Sequence, residues 1–158
     1  MKKILIAVDY GPTAQKVAEV GYALGKKLIA DVLLLHVVSE PTHYAYNAYS
    51  PIMGFAGYSG ADLMDAELTE SLLHGSEQYL QKTKSHLGGD HIETEVVVGS
   101  NAADTILKAI KKHDIDLVVV GSHSHRWMED VLLGNVTQKI LRESLVPVLV
   151  VPSKRHSL

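Results

Sequence analysis

The sequence predicts an α/β fold in which a five-stranded parallel sheet carries helices on both sides. Three observations lead there. Five short apolar runs alternate with stretches that have helical spacing. Most of the runs are apolar throughout, as in strands buried on both faces. Several of them stop at turn residues: Asp9 with Gly11-Pro12, then Gly99, then Gly121.

The first run is Ile4-Leu5-Ile6-Ala7-Val8, ending at Asp9. Small or apolar residues follow at Ala14, Val17, Ala18, Gly21, Leu24, Gly25 and Leu28. Those steps of three and four mark one helix face, and Thr13 is the expected N-cap. Val32 to Val38 is the second strand. Residues 39–60 have no sustained period and hold Tyr44, Tyr46, Tyr49, Phe55 and Tyr58 among prolines and glycines. They read as a long loop, a length usually reserved for function or disorder. A helix from about Ala61 to Leu87 ends at Gly88-Gly89. Ile92 to Val98 is the third strand. Ala102, Ala103, Ile106, Leu107 and Ile110 form the next helical face. Leu117 to Val120 is the fourth strand, followed by a polar loop from Ser122 to Asp130. A short helix starts near Gly134-Asn135 and reaches Glu143. Residues 146–151 form the last strand, and Pro147 puts it at a sheet edge or marks its start.

The length of 158 residues corresponds to a single domain, 1–158. Apolar residues make up 46% and charged residues 21%, as in a globular chain. No apolar run approaches the ~18–20 residues of a spanning helix, so no membrane association is expected. The apolar stretch near the N-terminus is too short for a signal peptide, which predicts a cytoplasmic protein. With no cysteine, disulfides and thiol chemistry are excluded. A net charge of −3 argues against a nucleic-acid partner.

In an open parallel sheet, ligands bind beyond the carboxyl ends of the strands, at the switch point. Asp9, Val37 and Val38, Gly99, and Gly121 stand there. Neither G-x-x-x-x-G-K-[ST] nor G-x-G-x-x-G after the first strand is present, which argues against a P-loop or a dinucleotide site. Gly134-Asn135-Val136-Thr137 opens a helix whose first amide groups and dipole favour an anion. Taken alone, the same segment is an ordinary capped helix start.

Three segments together carry a family resemblance. They are Val118-Val119-Val120-Gly121-Ser122-His123-Ser124, then Val131-Leu132-Leu133-Gly134-Asn135-Val136-Thr137-Gln138-Lys139-Ile140-Leu141, and Val146-Pro147-Val148-Leu149-Val150-Val151. They resemble the universal stress protein family. Lys3 to Asp9 is similar to that family's first strand, and Leu35-His36-Val37 to its second. The resemblance covers nearly the whole chain, with no counterpart for the 42–60 loop. It implies an adenine nucleotide alpha hydrolase-like, Rossmann-like three-layer sandwich of strand order 3-2-1-4-5. It also implies a homodimer, with edge strand 146–151 paired antiparallel to its copy.

Some members of the family bind ATP and some do not. Binders carry Gly, two residues, Gly, nine residues, Gly, then Ser or Thr. Here the register reads Gly121, two residues, Ser124, nine residues, Gly134, Asn135. The spacing is intact and two of the four positions differ. Asn135 keeps a polar side chain. Ser124 adds a side chain where a glycine allows positive φ or close approach. The resemblance implies ATP as ligand, with or without Mg. Asp9 would meet the ribose or a metal-linked phosphate, and Val37 would offer backbone groups to adenine. Gly121, Ser124, Gly134, Asn135, Val136 and Thr137 would surround ribose and phosphates. Ala7, Val8, Gly99, Val120 and Ser122, at the strand ends, complete the nucleotide-binding set. The function implied is a stress-response binding or signalling module rather than an enzyme, with very slow ATP hydrolysis at most. The alternatives are a non-binding member acting as an interaction dimer, and a weak ATPase.

Other residues read more plainly. His123, His125 and Arg126 are loop residues with no cysteine or carboxylate cluster at metal-site spacing. His36 is a core histidine with a hydrogen-bond partner. Lys108, Lys111 and Lys112 form a solvated helix face near a C-terminus. No catalytic residues are evident.

Overall fold

The computed structural model describes residues 1–40, 60–122 and 133–152. The Tyr-rich loop, along with His123, Ser124, His125 and Arg126, lies outside the described residues. The described elements run β1 (Lys3–Ala7), α1 (Ala14–Leu28), β2 (Asp31–Ser39), α2 (Gly60–Leu87), β3 (Glu93–Gly99), α3 (Ala102–Lys112), β4 (Leu117–Gly121), α4 (Asn135–Glu143) and β5 (Val148–Val151). The sheet is parallel, with strand order β3-β2-β1-β4-β5. The expected order 3-2-1-4-5 is therefore the order observed.

The continuous apolar strands bury both faces, as their composition requires. On one face Ile4, Ile6, Val32, Leu34 and Val119 pack against Val17, Ala18 and Tyr22 of α1 and Leu80 of α2. On the other, Leu5, Leu33, Leu35, Val118 and Val120 pack against Ala103, Ile106 and Ile110 of α3 and Ile140 of α4. Each fully buried Leu or Ile contributes roughly 1.5–3 kcal/mol relative to exposure. Gly21 explains how closely α1 seats. A Cβ there would stand 2.6 Å from Ile6 Cδ1, so any larger residue forces the buried Ile6 side chain or the helix to shift.

Three sequence expectations shift. Thr13 occupies the N-cap position of α1 but makes no side-chain cap bond, because its backbone (φ −101°, ψ −3°) is already helical rather than extended. Ile92 precedes β3, which runs one residue later than expected; its amide bonds back to Gly89 O at 3.1 Å. The last strand is shorter than 146–151. Pro147 lies just before it and supplies only its carbonyl, which accepts the Val118 amide at 3.1 Å. Proline suits that place because it has no proton to give. At the opposite end of the sheet from the strand tips, the Asp116 carboxylate accepts the amides of Lys2 (2.6 Å) and Lys3 (2.9 Å). Those backbone bonds hold its pKa below the ordinary value of 3.8.

Candidate functional site: a cleft at the ends of β1 and β4

β1 lies between β2 and β4, so the chain reverses its lateral direction there. The connections on either side of this point diverge to opposite faces and leave a crevice at the strand tips. A cleft of about 290 Å³ occupies it. That is at the lower edge of small-molecule clefts, which run from roughly 300 to 1,000 Å³.

The β1 side is built around Asp9. Its Oδ1 accepts the Gly11 amide at 2.7 Å, a tight turn that a side chain at Gly11 would obstruct, since a Cβ there would also lie 2.7 Å from Oδ1. The Asp9 carbonyl accepts the Tyr79 hydroxyl at 2.6 Å. One residue earlier, the Val8 carbonyl accepts His36 Nδ1–H at 2.8 Å, which fixes the proton on that nitrogen. His36 is thus the partnered core histidine expected. The Tyr10 ring packs edge-on to His36, with ring centres 4.6 Å apart, and lies 4.7 Å from Tyr79. Burial pushes the Tyr79 hydroxyl up to about 12, with the Asp9 carboxylate adding to it, so this donor keeps its proton throughout the neutral range.

The β4 side is built around Gly121 and α4. The Thr137 hydroxyl, buried, donates to the Gly121 carbonyl at 2.7 Å. The Gly134 amide donates to Ser122 O at 2.8 Å, and the Ser122 amide to Val151 O at 2.9 Å. These bonds tie the start of α4 to the tip of β4. The N-termini of α1, α3 and α4 all border the cleft, through Thr13 and Ala14, Ala102, and Gly134. In α3 the Asn101 side chain accepts the Asp104 amide at 3.1 Å. In α4 the N-cap is Gly134, which has no side chain to accept from the first turn. Neither α1 nor α4 has a side-chain cap among the described residues; the first amide of α1, at Ala14, is taken by the Gly11 carbonyl, and the glycine start of α4 favours an anion.

Of the residues singled out in the sequence, Ala7, Val8, Asp9, Val37, Val120, Gly121, Gly134, Val136 and Thr137 line the cleft. Gly99 does not. It borders a separate depression beside α3, where a Cβ would collide with Thr105 Oγ1. Ser122 is buried at the tip of β4, and Asn135 is exposed at the start of α4. Thr13, Ala14, Val17, Leu35, Ser39, Ala102 and Ile106 also line the cleft and were not singled out. Leu35 and Ser39 follow from strand alternation about Val37. Ala102 and Ile106 follow from the first turn of a helix that starts at the strand tips. The lysine cluster lies elsewhere: Lys112 pairs with Glu95, as does His113. Burial pushes the Glu95 carboxyl up, but the Lys112 and His113 hydrogen bonds outweigh it and hold it below its ordinary 4.5.

Asp9 is the one charged side chain among the described lining residues. Leu35, Val37, Ala102 and Ile106 make one part apolar, suited to a flat ring. Gly121, Gly134, Thr137 and the α4 terminus make another part polar. Among the described residues no group of three or more His, Cys, Asp or Glu is placed to hold a metal. No helix among them is long and apolar enough to cross a membrane.

Comparisons with known proteins show the family and the fold. The family model described as the universal stress protein family matches residues 1–152. Universal stress protein MJ0577 of Methanocaldococcus jannaschii is 29% identical over 156 residues, covering 97% of this chain and 96% of that protein. The solved structure of the MJ0577 protein superimposes with a TM-score of 0.76 at 26% identity, covering 98% of this chain and 97% of that one. Two more distant structures share the fold. A universal stress protein in complex with cAMP has a TM-score of 0.62 at 17% identity, covering 97% and 98% of the two chains. One from Archaeoglobus fulgidus in complex with dAMP has a TM-score of 0.53 at 18% identity, covering 95% and 97%. With the family pattern matched across residues 1–152 and the parallel 3-2-1-4-5 sheet in place, the chain belongs to the universal stress protein family.

Proposed function

We propose that this chain binds an adenine nucleotide, ATP in the first instance, in the cleft between the tips of β1 and β4, and acts through its occupancy as a signalling or binding module rather than as an enzyme. The observation that carries this reading is the pairing of an apolar slot with an uncapped helix start at the switch point. Leu35, Val37, Ala102 and Ile106 offer a dry wall for adenine. Gly121, Gly134 and the first turn of α4 offer backbone amides and a dipole for phosphate. Relatives of the same fold in complex with cAMP and dAMP support the choice of adenine.

The lining also supports Mg as part of the ligand. A polyphosphate beside the Asp9 carboxylate is repelled unless a cation lies between them, and no basic side chain is among the described lining residues. Mg bound to phosphate oxygens and to the Asp9 carboxylate supplies that charge. Ser124, outside the described residues, is the position through which the sequence departs most from the binding pattern.

A homodimer through β5 is part of the same proposal. The strand is at the sheet edge, and Leu145, which leads into it, is 88% exposed. An apolar edge of this kind invites pairing with a second copy.

Isothermal titration of ATP into nucleotide-stripped protein, with Mg and with chelator, is the deciding experiment. Binding with Mg that weakens on chelation is the expected result. The variant Gly134→Val is expected to lose binding and stay folded. Gly134 has φ −69° and ψ 157°, which valine adopts without strain, while its branches fill the cleft. Absence of heat and of any thermal shift up to millimolar ATP would overturn the nucleotide reading.

A further inference from the structure

We propose that Tyr79 of α2 is the positioning residue for the Asp9 turn, so that α2 sets the geometry of the cleft from outside it. The inference rests on the nucleotide reading for its effect on affinity, though the positioning itself stands on contacts in the protein alone.

The turn between β1 and α1 is held from within by two short-range bonds, both at Gly11. Thr13 makes no cap bond, and Asp9 Oδ1 reaches only to Gly11, inside the same turn. Within the turn the Ala14 amide also donates to the Gly11 carbonyl at 3.1 Å, and the side-chain anchors on Val8, Asp9 and Tyr10 come from far along the chain. Tyr79, 70 residues away, gives its hydroxyl proton to the Asp9 carbonyl at 2.6 Å. Ser76, one helical turn earlier on the same face of α2, has its Oγ 2.7 Å from the Tyr10 hydroxyl. The Tyr10 and Tyr79 rings then close against His36, which holds Val8. Three consecutive residues, Val8, Asp9 and Tyr10, are therefore each fixed by a side chain from β2 or α2. None of Ser76, Tyr79 and His36 lines the cleft, whereas Val8 and Asp9 do. The residue that carries the carboxylate into the cleft is thus oriented by a hydroxyl that does not line it. A displacement of well under 1 Å at such a group is enough to alter ligand geometry.

Tyr79→Phe removes the donor and leaves the ring in place against Tyr10 and His36, so the fold is expected to survive. Two measurements test the idea. The first is backbone amide exchange with no nucleotide present. The Gly11 amide, protected by Asp9 Oδ1, is expected to exchange faster in Tyr79→Phe, while Leu34 and Val119 in the sheet keep their protection. Unchanged Gly11 exchange, or an equal rise across the sheet, would overturn the proposal. The second is the affinity for Mg-ATP in Tyr79→Phe, in Asp9→Ala and in the double variant. Tyr79→Phe is expected to weaken binding roughly 3–10-fold alone, and less than about 2-fold when Asp9 is already alanine. Equal losses in both backgrounds, or no loss in either, would mean that Tyr79 does not act through Asp9. If the unmodified protein fails to bind Mg-ATP, the nucleotide reading falls. Gly11 exchange then decides the positioning role by itself.

Discussion

Thr137 joins the two halves of the β4 side, and replacing it tests whether its hydroxyl or its bulk matters. The residue is buried at 4% exposure, and its hydroxyl donates to the Gly121 carbonyl at 2.7 Å. Because that proton is committed, the oxygen meets any ligand only as an acceptor. Thr137→Val keeps the shape of the side chain and removes the bond. Helix propensity hardly changes between the two residues. Losing the bond and leaving a carbonyl under-satisfied costs roughly 1–3 kcal/mol. Replacing the hydroxyl with a buried methyl returns about 0.8 kcal/mol. The bond wins, and the net loss is about 1 kcal/mol. A urea titration should show a midpoint lowered by roughly 0.5 M at unchanged slope. Thermal unfolding should fall by about 2–4 °C. If Thr137 contributed packing alone, the valine variant would equal or exceed the parent protein in stability. That outcome would refute the reasoning.

Three further outcomes are expected. Ile29 closes α1 in the left-handed region (φ 53°, ψ 46°) with 94% of its surface exposed. Ile29→Gly removes a strain of about 1–2 kcal/mol and adds about 0.5–1 kcal/mol of unfolded-state freedom. Thermal unfolding should therefore rise by roughly 1–3 °C, and a less stable glycine variant would contradict this. Leu145→Glu should convert a dimer to a monomer in sedimentation equilibrium, and the unfolding temperature should lose its dependence on protein concentration. A monomeric parent protein would remove the edge-pairing proposal. The carboxyls of Glu95 and Asp116 are held below their ordinary values of 4.5 and 3.8 in the folded chain. Their contribution is present above those values and lost as the pH falls through the lowered ones. Urea midpoints should be insensitive to these groups from pH 7 to about pH 5 and drop below it. Stability that rose on acidification from pH 5 to pH 3 would show that these pairings do not matter.

Much of this molecule was legible in its sequence, and the reason is local. An apolar run such as Val32 to Leu35 has to be buried on both faces, and a helix face at Ala14, Val17, Ala18 and Gly21 has to pack on something. Those demands, with Asp9, Gly99 and Gly121 as stops, dictate an alternating α/β chain with its chemistry at the strand tips. The family pattern added the strand order. Position along the chain brought Asp9, Val37, Gly121, Gly134, Val136 and Thr137 to one cleft, and the family resemblance added Ala7, Val8 and Val120.

The tertiary structure decided what depends on direction and on distant partners. Gly99 ends a strand just as Gly121 does, yet β3 is at the sheet edge, two strands from the switch point, and Gly99 faces another depression. Thr13 sits where a cap belongs, but its own ψ turns the hydroxyl away from that task. Thr137 looks like a phosphate ligand in the sequence, and the fold spends its proton on Gly121. The anchoring of Asp9 by Tyr79 spans 70 residues and leaves no periodic trace. A repeat of two or 3.6 residues reports which face an atom is on; which neighbour that face meets is settled only when the strands take their lateral order.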